Sequence, residues 1–64
     1  MSAPRVTVDV RELRADQVQV GEALVLGKTL KRVHRIEPHP HGVAIHWPTG
    51  WAWYRADEIV QVLA

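Results

Sequence analysis

The sequence predicts an all-β fold, a small and strongly bent antiparallel barrel of five to six strands with one short helical turn. Three observations carry this. Short runs rich in β-branched residues alternate apolar and polar side chains, the period of a half-buried strand. Turn signals built on Gly, Pro or Asp separate such runs at intervals of about 8–12 residues. Finally, all the aromatic residues, three Trp and one Tyr, fall in the run Val43–Arg55, which reads as one hairpin.

Taken in order, Met1–Pro4 reads as a leader and residues 5–64 as a single domain. Val6-Thr7-Val8-Asp9-Val10 alternates and is β-branched, so it is expected to be a strand. Arg11–Gln19 contains helix formers but is too short to hold a helix without packing. It reads as a loop with a helical turn, with Leu13 and Val18 pointing inward. Gly21-Glu22 is a turn feeding a strand through Leu26, and Gly27-Lys28 is a hairpin turn.

A strand over Thr29–Ile36 follows, with imperfect alternation: Leu30 and Ile36 share a phase that Val33 does not. A bulge near Arg32 would reconcile them. Glu37–Gly42 reads as a loop on its two Pro and one Gly. Val43, Ile45 and Trp47 then share one strand face, and Trp51, Trp53 and Arg55 one phase of the next. Pro48-Thr49-Gly50 joins them as a tight turn, Pro presetting φ and Gly accepting positive φ. Arg55–Glu58 makes a short turn, and Ile59–Leu63 is the closing strand.

The stretch Asp16-x-Val18-x-Val20-Gly21-Glu22-x-Leu24 is similar to a turn-and-strand pattern common in small β-barrels. With the basic strand and Trp hairpin that follow, the chain resembles short small-barrel proteins of actinobacteria and their phages, of the Src-homology-3 (SH3-like) type. The resemblance implies a fold and carries no activity with it.

Sixty-four residues allow one domain. A chain this short buries only about 60% of its unfolded surface, so its stability margin is narrow. There is no Cys to add a disulfide or thiolate metal site, and no Phe, so the Trp rings matter to the core. The first residues lack the apolar stretch of a signal peptide, and no apolar run approaches the ~20 residues of a membrane helix. The expected setting is the cytoplasm, with no membrane partner.

Net charge is +1, but residues 23–56 carry +4 between flanks of −1 and −2. Lys28, Lys31, Arg32 and Arg35 crowd one predicted strand with no acid among them. Such a strip favours a phosphate backbone through counterion release. The same charges also solvate a strand and guard its edge against pairing. Core packing accounts for some of the Trp rings, and the rest are expected at the surface. Trp51 and Tyr54 are the rings expected there, beside Arg55.

Other chemistry has little to stand on. His39-Pro40-His41, with His34 and His46 nearby, invites a zinc site, but nothing in the spacing converges three or four ligands. No metal or other cofactor is expected. The chain has one Ser, in the leader, two Thr beyond residue 20, no Gly-rich phosphate loop and one adjacent carboxylate pair, Asp57-Glu58. No enzyme and no small-molecule substrate is expected. The expectation is a binding module contacting nucleic acid through Lys28, Lys31, Arg32, Arg35 and Arg55, with Trp51 or Tyr54 as a stacking platform. The alternative is a protein-interaction module, a homodimer or a phage or host regulatory accessory, using the Trp-rich hairpin.

Overall fold

A computed structural model describes residues 9–64. The expected leader, and all of the Val6–Val10 strand except its last two residues, lie outside them. The described chain is all-β, with seven strands in two antiparallel sheets and one 3₁₀ turn. The strands are β1 (Val10–Arg14), β2 (Ala23–Leu26), β3 (Thr29–Arg32), β4 (Arg35–His39), β5 (Gly42–Trp47), β6 (Gly50–Arg55) and β7 (Ile59–Leu63). One sheet has four strands in the order β1-β7-β2-β3, and the other has three in the order β4-β5-β6. The described strands form no closed barrel: each sheet keeps two edges.

Arg11–Arg14 is strand, not loop. Helix-forming side chains there are overridden by full pairing with β7, from Val10 opposite Leu63 to Arg14 opposite Ile59. The helical turn is real but short, Ala15–Gln17. It is tied to the β6–β7 connection by Ala15 N–H donating to the Glu58 carbonyl at 2.7 Å. Val18 is buried and Leu13 packs against the core, both as expected.

Gly27-Lys28 does join β2 to β3. Gly27 takes φ +59° while Lys28 does not turn positive, which fits a hairpin turn with Gly in its first central position.

The strand expected over Thr29–Ile36 is interrupted, not bulged. Val33 and His34 belong to neither sheet and carry the chain from β3 to β4. Their backbone groups stay satisfied. Val33 N–H donates to the Glu22 carbonyl at 2.9 Å, its carbonyl accepts from Gly21 N–H at 2.8 Å, and His34 N–H reaches the His46 carbonyl at 2.9 Å. Val33 is thereby pinned in the core while Leu30 stays exposed, which explains the broken alternation.

The segment read as a loop on its prolines is strand to His39. Pro38 lacks an N–H, yet it sits in β4, an edge strand whose second side asks for no donor. Pro40 and His41 alone make the turn into β5.

Leu24, Val33, Ile45 and Val62 are the largest fully buried side chains, drawn from both sheets and the crossing between them. Leu13, Leu26, Ile36, Trp47 and Tyr54 pack around them. No buried residue among those described is polar or charged. Among the described residues no helix is long and apolar enough to cross a membrane.

Candidate functional site

The three-stranded sheet divides its side chains cleanly because its register is unbroken. From Arg35 opposite His46 to His39 opposite Gly42, and from Gly42 opposite Arg55 to Trp47 opposite Gly50, no residue is skipped. With a period of two, Ile36, Val43, Ile45, Trp47 and Tyr54 therefore turn to the core. The opposite face is a grid of three rows: Arg35, His46 and Trp51; Glu37, Ala44 and Trp53; His39, Gly42 and Arg55.

The smallest side chains occupy the middle strand of that grid. Ala44 stands at its centre and Gly42 beside it, and both are buried beneath taller neighbours. The result is an open groove of about 330 Å³ lined by Glu37, His39, Ala44, His46, Trp51 and Trp53. Its aromatic wall is held in place. His46 stacks on Trp51 with ring centroids 6.0 Å apart and planes 27° from parallel. Trp51 is 62% and Trp53 48% exposed, unusually high for indoles.

The polar wall is organised around Glu37. Its Oε1 lies 2.7 Å from Arg35 Nη2 and 2.9 Å from His46 Nε2, close ion-pair contacts. Arg35 Nη2 also stands 3.4 Å from His46 Nε2, to which it donates in the tautomer that leaves that nitrogen unprotonated. Oε2 has only His39 Nε2, at 4.0 Å, beyond hydrogen-bond reach.

The chain matches no family model, no curated protein and no solved structure. Three or more His, Cys, Asp or Glu side chains do not gather as metal ligands anywhere among the described residues. The groove's lining combines two indoles, two imidazoles and one carboxylate, groups that stack and hydrogen-bond.

The expected binding residues divide into two sets. Arg35, Arg55 and Trp51 share the grooved face, at three corners of the grid. Lys28, Lys31 and Arg32 lie on the other sheet, because the chain changes sheets at Val33-His34. Lys28 is in the β2–β3 turn, Lys31 is half-buried opposite Leu24, and Arg32 donates through Nη1 to the Gly21 carbonyl at 2.6 Å. One continuous basic strip is not formed.

Tyr54, expected at the surface, packs against the core. Its phenol pKa is raised above the ordinary value of 10.0, first by burial and then by the charge of Glu58. Trp53 is the exposed ring in its stead. The signal was available: Trp51 and Trp53 are two apart, so the ring that accompanies Trp51 outward is Trp53 and never Tyr54. Glu37, His39 and Gly42 fall in the stretch expected to be a loop, and Ala44, in the expected strand, gives no chemical signal of its own.

Gly50, in the aromatic hairpin, acts by being small. Gly50 does not adopt positive φ. It sits opposite Trp47, and a β-carbon there would meet the indole Nε1 at 3.3 Å. The loop is thus the two residues Pro48-Thr49, with Gly50 already in the strand.

Proposed function

We propose that this chain is a non-enzymatic binding module, and that its ligand is single-stranded nucleic acid held on the outer face of β4, β5 and β6. The observation that supports this best is the pairing of two exposed indoles, Trp51 and Trp53, with Arg35 and Arg55 on one flat face. Exposed bases stack on such rings, each stack contributing about 1–3 kcal/mol with little regard to base identity. Arginine at the corners of the grid suits phosphates on either side of a stacked base. The architectural half of the proposal is an SH3-like bend. It is supported by two antiparallel sheets that share one core and meet at Val33-His34.

The test is a titration of fluorescently labelled single-stranded octamers at low salt, read by polarisation. Saturable binding, accompanied by quenching of Trp emission, is the expected result. Unchanged polarisation up to high micromolar protein overturns the proposal.

A protein interface is the second reading, and a different surface favours it. On the outer face of the four-stranded sheet, Val10, Leu30 and Ile59 are exposed apolar side chains turned away from the core. Exposed apolar groups of this kind are covered in symmetric dimers. Light scattering coupled to size exclusion decides it: mass that doubles with concentration supports a homodimer, and a constant monomer mass removes it.

A further inference from the structure

We propose that Glu37 is a base-reading residue, selecting bases that present an exocyclic amino group over those that present a carbonyl in its place. The inference rests on the proposed nucleic-acid reading and deepens it. A carboxylate on a face that binds a polyanion is unexpected, because it repels phosphate. Here two features change its role.

The first is neutralisation. Arg35 Nη2 and His46 Nε2 crowd Oε1, at 2.7 and 2.9 Å, so that oxygen is occupied and the carboxylate's charge is answered by a guanidinium. The second is the atom left over. Oε2 has no donor within hydrogen-bond distance, and the side chain is 42% exposed along the groove wall. Glu37, Ala44 and Trp53 are consecutive cross-strand partners, so the free oxygen and the Trp53 indole stand on opposite sides of the low Ala44 floor. A base lying in the groove meets the Trp53 indole on one side and an acceptor on the other.

An ionised carboxylate can only accept. Cytosine offers its 4-amino group, and adenine and guanine offer their own amino groups. Uracil and thymine place a carbonyl oxygen where cytosine has the amine, and two acceptors repel. Because the site leaves an acceptor at the position of the exocyclic group, a base with a carbonyl there is disfavoured, and its N3–H reaches the oxygen only if the base shifts in the groove. The discrimination expected from one such hydrogen bond is about five- to tenfold.

The experiment compares single-stranded octamers of deoxycytidine and deoxyuridine, which exchange the 4-amine for a carbonyl and the bare N3 for N3–H, by polarisation with the intact chain near neutral pH. Wild-type protein is expected to bind the cytidine octamer about five- to tenfold more tightly. Glu37→Gln, whose amide both donates and accepts, is expected to bring the two affinities within twofold while keeping the wild-type circular dichroism spectrum. Equal binding of both octamers by wild-type protein overturns the proposal and leaves the nucleic-acid reading standing. So does a preference that survives in Glu37→Gln. If neither octamer binds, the nucleic-acid reading itself falls, and this inference with it.

Discussion

The indole of Trp53 lies across the backbone of Gly42. A β-carbon at residue 42 would overlap Trp53 Cζ2 and the Tyr54 carbonyl oxygen, and Trp53 Cε2 would be only 2.7 Å away. The missing side chain is what lets the ring lie down on the sheet, beside the Ala44 floor. Gly42→Ala must therefore displace both a ring and a neighbouring strand. The expected cost is about 1–3 kcal/mol, the range for overpacking a close-packed site. Urea denaturation followed by Trp emission measures it, and an unchanged midpoint would refute the close approach.

The three Trp residues should separate stability from binding. Trp47 packs against the core, so Trp47→Ala is expected to cost about 3 kcal/mol or more. That is a large share of what a domain of this length has, at roughly 0.05–0.15 kcal/mol per residue. Trp51→Ala and Trp53→Ala remove exposed rings and should shift stability by less than about 1 kcal/mol. Each should still weaken octamer binding by about 1–3 kcal/mol. Thermal melts and polarisation titrations on the same three variants test both halves.

Alkaline pH should destabilise the fold through Tyr54. Burial, followed by the charge of Glu58, raises its folded pKa above 10.0. Below about pH 10 the phenol is neutral in folded and unfolded chains alike, and its contribution is complete. Above that the unfolded chain releases its proton first, so stability falls as pH climbs through the raised folded pKa. Tyr54→Phe should flatten this alkaline limb. Identical slopes in the two proteins between pH 9 and 11, about the window where the phenol titrates, would contradict it.

Salt dependence reports which cations touch phosphate. Arg35 is engaged with Glu37, and among the described residues Arg55 makes no ion pair. One or two phosphate contacts predict a slope of log K against log salt of about −0.7 to −1.4. Participation of all five expected cations would give about −3.5. Arg55→Ala should flatten the slope, whereas Lys28→Ala, on the other sheet, should leave it alone.

The accuracy of the sequence reading followed the range of the forces involved. The hairpin around Pro48-Thr49, the Gly27-Lys28 turn and the strand Ile59–Leu63 all rest on local chemistry, and they are where they were expected. Arg11–Arg14 was misread because its partner strand lies some fifty residues away, at Ile59–Leu63. Pro38 suggested a loop because nothing local reveals that β4 is an edge. Trp53 was legible from alternation alone, and the choice of Tyr54 set that rule aside.

By itself the sequence determined an all-β chain, its principal hairpin and the alternation that sorts the aromatic rings into two faces. Those follow from backbone geometry, which repeats every two residues whatever the chain packs against. Only the tertiary structure decided which residues share a surface. Burying Val33 requires the chain to leave one sheet and join the other at that residue, and this step divides the basic strand. Lys28, Lys31 and Arg32 go to one sheet, while Arg35 joins Glu37, His46 and the two exposed indoles on the other.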